Sequence, residues 1–525
     1  MLDPSSAREA RDASSARETR DASSAREGRD ASVACAPRCA VVDLGSNSVR
    51  LVVFEGLQRN PLAIFNEKAT LRLGRGLAAT GRLNEQGVEQ AVPVLARYHA
   101  VARAMGADPF EVLATAAVRD AANGPAFVAA MAEAMPGTPI RVLSGQEEAA
   151  LSAAGVLCGI PDADGILADI GGGSLELVRL DRGRVGPAAS LGLGAIRLAD
   201  RAGGDLALAR RIAEADLASV PWLAEGRGRS LYLVGGAWRT MARLHMVQTA
   251  YPLMIVHQYT LDAAEALGLS AQVQGTPRRA LDRLPAVSRK RAEDLPFAAA
   301  VLRRLLRATE AARVVFSADG IREGWFMQRV PEAVREEDPV LAAAKERARV
   351  LGRDLALPPR LIAWTSPLFP GETAREARLR AAACWLSDTG SHDHPEYRAE
   401  QSFYRVLRLP GVALDHPTRA FLALVLALRY EADPAAPFLA PARLLLDGAA
   451  TLRAERLGAA LRLAYTLSAG TPDLLAATSL SASPTHLALR LAPGAGVFAG
   501  EGVTRRLERL AQLCGLVPGV DSPAG

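Results

Sequence analysis

Val41-Val42-Asp43-Leu44-Gly45-Ser46-Asn47-Ser48-Val49-Arg50-Leu51-Val52 and Leu167-Ala168-Asp169-Ile170-Gly171-Gly172-Gly173-Ser174-Leu175-Glu176-Leu177-Val178 align without a gap. Each copy is an apolar run, a turn of small residues introduced by Asp, and a second apolar run. That is the pattern of a β-hairpin with an acid at its rim. The match reads as an internal duplication, so two α/β units that open alike are expected.

Around the first copy, strand and helix alternate from Ala40 to about Cys158. The hairpin is followed by an amphipathic stretch from Asn84 to Met105, a short apolar run from Phe110 to Ala114, and a segment from Val142 onward. The second unit starts after Gly165 and includes strands over Leu231–Val234 and Val314–Phe316. Domains are therefore expected at 40–160 and 161–330. Beyond about Pro331 the texture changes to long Ala/Leu/Arg patterns, among them Ala377–Leu386, Arg419–Arg429 and Leu452–Leu467. They predict a mostly α region over 331–525, closed by a small strand-plus-helix piece from Thr485–Leu491 and Gly502–Leu513. Residues 1–39 contain three copies of a nine-residue unit, SSAREARDA, SSARETRDA and SSAREGRDA. With nearly cancelling charge and almost no apolar side chains, this tail is expected to be disordered or transiently helical.

Composition narrows the class. The chain has 525 residues, 49% of them hydrophobic, enough for roughly three or four cores. Its formal charge of +5 is small for that length and does not indicate a nucleic-acid-coating protein. No apolar run is long enough to span a membrane, and the N-terminus has no basic-then-apolar signal pattern. Five scattered cysteines argue against a disulfide framework, so reduced thiols and a cytoplasmic location are expected. Between Arg278 and Arg307, nine Lys or Arg residues face only Asp282, Glu293 and Asp294, a candidate basic surface whose single members read as solvated helix positions.

A turn of Gly and Ser exposes backbone N–H groups that a phosphate oxygen can accept, because no bulky side chain intervenes. Gly45, Ser46, Asn47 and Ser48 form one such candidate cradle, and Gly171, Gly172, Gly173 and Ser174 the other. Two facing turns can hold one phosphate chain. Asp43, Asp169 and Glu176 are candidate Mg2+ ligands, since that ion prefers carboxylate oxygen and water and bridges to substrate phosphate. For Asp43 and Asp169 the competing reading is a turn cap. Glu176 is an acid inside an otherwise apolar strand. Glu147 and Glu148 follow Ser144-Gly145 at an expected helix start. A capping box accounts for Glu147 and leaves Glu148 free to act as a base. Arg119 lies just past a strand end, where a guanidinium can neutralise phosphate or join a surface salt bridge. Gly235 and Gly236 stand between a strand and a helix N-terminus, a usual place for phosphate contact.

Taken in order, DLGSNSVRLVV, ATAAVRDAANG, VLSGQEEA, DIGGGSLELV, LYLVGGAWRTMARL and SADGIREGW resemble the motifs of exopolyphosphatases and guanosine pentaphosphate phosphohydrolases, over roughly Ala40 to Trp325. The resemblance implies two ribonuclease-H-like domains of the actin, hexokinase and acetate-kinase superfamily, with the active site between them. It implies a catalytic base at Glu148, Mg2+-linked acids at Asp169 and Glu176, a phosphate-contacting Arg119, and phosphate loops at Gly45–Ser48 and Gly171–Ser174. Leu175 stands where the family usually has Thr, which removes one hydroxyl. The C-terminal region resembles the HD-like helical extension of long family members, which helps bind long chains or form dimers. Ser387-Asp388 occupies the place of an HD pair, and His392, His394 and His416 do not restore a ligand set.

The expected activity is processive release of orthophosphate from inorganic polyphosphate. The alternative is removal of the 5' phosphate of guanosine pentaphosphate by the same chemistry, or both activities. From other classes, the same superfamily includes sugar and acetate kinases, and a catalytically idle nucleotide sensor is a third reading.

Overall fold

β1 (Arg38–Leu44) and β2 (Ser48–Glu55) pair antiparallel with Asp43 opposite Arg50 and Leu44 opposite Val49. β6 (Gly165–Ile170) and β7 (Leu175–Asp181) repeat that hairpin with Asp169 opposite Glu176 and Ile170 opposite Leu175. The computed structural model describes residues 37–410, 413–493 and 500–521. The nine-residue repeats and Cys35 lie outside them.

β3 (Ala63–Thr70), β4 (Ala107–Ala114) and β5 (Ile140–Val142) complete a five-stranded sheet of order β3-β2-β1-β4-β5. In the second sheet, β8 (Arg184–Leu191), β9 (Ser230–Val234), β10 (Tyr259–Asp262) and β11 (Arg313–Phe316) give β8-β7-β6-β9-β11-β10. Both sheets have two antiparallel hairpin pairs on one side of the central strand and parallel neighbours on the other. The duplication therefore extends from the hairpins to the topology, with β10 an antiparallel addition at the edge of the second sheet.

Two helices carry each lobe onto the other. Helix Gly145–Gly159, which follows β5, packs Ala149, Ala153 and Val156 against Leu167, Val178 and Tyr232 of the second sheet. Helix Ile321–Met327, which follows β11, packs Trp325 and Phe326 against Val41, Val52 and Phe54 of the first. The helices touch where side chains are missing: a Cβ on Gly155 would lie 2.0 Å from the Gly320 carbonyl oxygen, and one on Gly324 would lie 1.9 Å from that of Leu151. Trp325 Nε1 and Arg329 donate to Glu111 of β4, which fixes the crossing.

Beyond residue 339, helices including Ala374–Leu386, Arg398–Leu407, His416–Arg429 and Gly448–Ser468 surround one apolar core. β12 (Thr478–Ala482), β13 (His486–Leu491) and β14 (Val517–Asp521) form a small sheet joined through helix Glu501–Cys514. The fold is thus mixed α/β with a helical C-terminal region.

Candidate active site

The two hairpin turns close in the same way. Gly45 N–H donates to the Ser48 carbonyl at 3.0 Å, and Gly171 N–H donates to that of Ser174 at 3.0 Å. Their carbonyls are then tied backwards: Ser46 and Asn47 accept from Gly74, Leu71 and Arg72, while Gly171 and Gly172 accept from Ala195, Ile196 and Arg197. The amides of Ser46, Asn47, Gly172, Gly173 and Ser174 donate to no acceptor among the described residues. Each turn thus ties its acceptors into the fold and leaves its donors free, a geometry able to receive an anion.

The tips meet. A Cβ on Gly172 would lie 3.0 Å from Ser46 Cβ, and one on Gly173 would lie 2.7 Å from Ser46 Oγ. Both line one cleft of about 590 Å3, together with Asp43, Glu148, Asp169 and Glu176. Gly235 and Gly236 also line it. Gly235 has φ +118°, and a Cβ there would stand 2.3 Å from the Ile170 carbonyl oxygen, so glycine alone allows this turn to enter the helix Gly236–Gln248.

Glu148 reaches the second lobe from the first because its helix leans across. Ser144 and Glu147 form the expected reciprocal cap, with Glu147 Oε2 accepting from Ser144 N–H at 2.8 Å, and Glu148 is left to the cleft. Gly145 permits the close approach, since a Cβ there would lie 2.5 Å from Ser190 Cβ. Burial first, and then the carboxylate of Asp169, push Glu148 up to about 8, against the pull of Arg119. Asp169 accepts from Ser152 Oγ, and burial raises it. Glu176 accepts from Ser190 Oγ at 2.9 Å, and burial followed by Glu148 and Asp169 raises it well above the usual carboxylate range. Neither Asp169 nor Glu176 has a salt-bridge partner among the described residues. Two buried carboxylates opposite one another need a proton or a cation.

Arg119 is found in salt bridges, one of the two readings its position allowed. It is absent from the cleft wall, and its guanidinium donates to Leu143 O at 3.0 Å, Asp120 at 3.0 Å and Glu148 Oε2 at 3.4 Å. Its place in the fold is beside Glu148. Asp120 also accepts from Arg197 at 2.5 Å, which ties the lobes together at this edge.

Sequence reasoning missed much of the positive wall: Arg50, Lys68, Arg239, Arg243, Arg322 and Arg408. Arg50 was legible as the hairpin partner of Asp43, and Arg239 and Arg243 as an i, i+4 pair just inside a helix start. Lys68 lies on a strand too polar to stand out, where burial and neighbouring Arg291 and Arg50 push it down to about 8. Of the Arg278–Arg307 group, Arg291 lines the cleft, whereas Arg278 pairs with Glu293 and Arg304 with Glu214. Asp319 of SADGIREGW also lines it, and burial and Glu323 push it up to about 7.

Residues 52–333 match the family model described as Ppx/GppA phosphatase family, and residues 340–517 the one described as exopolyphosphatase, C-terminal. Exopolyphosphatase 2 of Mycobacterium tuberculosis is 30% identical over 291 residues, covering 51% of this chain and 90% of that protein. An uncharacterized protein of Streptomyces coelicolor is 32% identical over 313 residues, or 56% of this chain and 91% of its own. The crystal structure of an exopolyphosphatase from Cytophaga hutchinsonii has a TM-score of 0.51 at 21% identity, covering 55% of this chain and 96% of that one. That last likeness concerns the fold alone.

Proposed function

The chain belongs to the Ppx/GppA phosphatase family, and from that premise we propose that it is an exopolyphosphatase, releasing orthophosphate from the end of inorganic polyphosphate. The observation that carries this reading is the contact of Ser46 with Gly172 above a cleft lined by free amides, carboxylates and guanidinium groups.

The terminal phosphoryl group lies against the amides of both tips, which are already aimed and need no rearrangement as charge builds on its oxygens. Glu148 takes a proton from a water molecule, whose oxygen attacks the terminal phosphorus in line. The bond to the bridging oxygen breaks, orthophosphate leaves, and the remaining chain departs one phosphate shorter. Arg50, Lys68, Arg239 and Arg243 attract the rest of the polyanion.

Mg2+ fits this donor set. Asp169 and Glu176 offer hard oxygen ligands at buried positions without a salt-bridge partner among the described residues, with Asp43 on the opposite hairpin. Among the described residues no three His, Cys, Asp or Glu side chains make a ready cage, so water and substrate phosphate would have to complete the shell of any ion held there. When bound, it would supply neutralising charge to the phosphate oxygens.

The C-terminal region is read as an HD-like extension that has exchanged its metal for an ion pair. Asp388 accepts from Arg353 at 2.8 Å through both the main-chain N–H and Nη2. A homodimer and a cytoplasmic location belong to the same proposal. No helix among the described residues is long and apolar enough to cross a membrane.

Orthophosphate release from long polyphosphate and from guanosine pentaphosphate, measured in parallel with and without Mg2+, tests the reading. Faster, Mg2+-dependent release from polyphosphate is expected. Phosphorylation of an acceptor from ATP without orthophosphate release would replace it with a kinase.

A further inference from the structure

A second concentration of positive charge lies wholly within the helical C-terminal region. There a cavity of about 240 Å3 is lined by Arg353, Arg398, Arg429, Arg462, Arg506 and Glu431. Among the described residues, two carboxylates answer these five guanidinium groups. Asp388 holds Arg353, and Glu431 is shared by Arg462 and Arg506. Glu431 itself sits at φ +71°, in the left-handed region that a glutamate rarely adopts.

Arg398 and Arg429 form no ion pair among the described residues. Arg429 is only 8% exposed, and its Nε has no hydrogen-bond partner; the Nε atoms of Arg398 and Arg506 are likewise unpartnered. What fixes Arg429 is stacking, with its guanidinium carbon 4.1 Å from the Tyr430 ring centre and 3.6 Å from that of Tyr465. Stacking holds the plane of the group and leaves its donor edge unused. Burial, and then the crowding of Arg506, Arg429 and Arg398, push Arg462 down to about 10. Asp388 and Glu431 leave the group with an excess of positive charge, which an incoming polyanion would answer.

We propose that this cavity is a second anion site, separate from the cleft, that takes a compact diphosphate or triphosphate group. Its volume of about 240 Å3 leaves room for a group of that size. Tyr430 and Tyr465 each already stack with an arginine, so the site reads phosphate rather than a stacked base. The separation follows from the helices. Arg398 opens helix Arg398–Leu407, and Arg408 just past its end lines the cleft; Arg419 lines the cleft, and Arg429 ends helix His416–Arg429. Each pair is about ten residues apart, ~15 Å along a helix, so one compact anion cannot fill both sites.

Titration calorimetry of the full chain with inorganic diphosphate, and with GDP in a parallel arm, tests the proposal. Two classes of site are expected for diphosphate. Arg398→Gln and Arg506→Gln should each weaken one class by about tenfold or more and leave the other unchanged. Arg50→Gln, in the cleft, should do the reverse. Arg398 bears no ion pair, so its variant keeps the fold, and an unchanged melting temperature checks that. Tighter binding of GDP, lost in Arg398→Gln, would identify a nucleotide as the source of the group; equal binding would identify the inorganic chain. A single class of site in wild type, or two classes that both survive Arg398→Gln and Arg506→Gln, would overturn the proposal.

Discussion

Asp169 and Glu176 are direct cross-strand partners on β6 and β7, whereas the equivalent positions of the first hairpin hold Asp43 and Arg50. The duplication kept the turn and changed the charge. Asp43 faces Arg50 across its hairpin and pairs with Arg322 at 3.7 Å, whereas the two buried acids of the other copy form no ion pair among the described residues and favour a proton or a bound cation.

That imbalance predicts a metal effect on stability. In thermal melts, saturating Mg2+ should raise the midpoint of wild type, with a stabilisation of about 2.7 kcal/mol at a hundredfold excess over the dissociation constant. Glu176→Gln should melt higher than wild type without metal and gain little from Mg2+. An equal metal-induced shift in both proteins would count against a metal held at Asp169 and Glu176.

Glu148 sets a pH dependence. Its carboxyl is raised to about 8 by burial and Asp169, so in the free enzyme it is protonated at neutral pH and cannot take a proton from water. At low Mg2+ the acid limb of kcat/KM should therefore lie near pH 8, and it should move lower as Mg2+ rises. A raised carboxyl favours the fold at low pH and loses that contribution as pH climbs from the unfolded value through the folded one. Glu148→Gln should consequently match wild-type stability near pH 4 and exceed it at pH 7, on the order of 3 kcal/mol. Equal stability at both pH values would show that Glu148 is ionised in the fold.

The turn at Gly235 carries a steric prediction. With φ +118° and a prospective Cβ 2.3 Å from the Ile170 carbonyl oxygen, Gly235→Ala should cost about 3 kcal/mol or more. Gly203→Ala meets only the left-handed backbone, with open space around the new methyl, and should cost about 1 kcal/mol. Denaturation midpoints of the two variants decide this; equal losses would mean the contact with Ile170 relaxes freely.

The positive wall predicts how substrate is held. Arg50→Gln and Arg243→Gln should raise KM for long polyphosphate more than they lower kcat, with a weaker dependence of KM on salt than wild type. Unchanged salt dependence would remove these side chains from the path of the chain.

Local patterns were legible in the sequence where the chemistry is local. The paired Asp-Gly-Ser turns, the Ser144–Glu147 cap and the acid within the apolar strand at Glu176 needed only neighbours along the chain, and their positions follow from strand and helix periodicity. What escaped was brought together by packing. Lys68 lies on a strand whose polar pattern hid it, Arg322 reaches the cleft through the glycine-paired helix crossing, and Arg408 arrives from a region that composition marks only as helical. For Arg119 the strand-end position left phosphate contact and a salt bridge both open, and the fold places Asp120 and Glu148 within reach of its guanidinium. Charge counts along Arg278–Arg307 likewise could not say which side chains face acids and which face the cleft.

In the proposed function, Glu148 activates water against a phosphoryl group held by the two tips. The most direct measurement compares wild type and Glu148→Gln for binding of long polyphosphate and for release of orthophosphate from it, both with Mg2+ present. Binding within about threefold of wild type and release slowed by roughly 10²–10⁴ is the predicted result. Release by the variant at a rate close to wild type would contradict it.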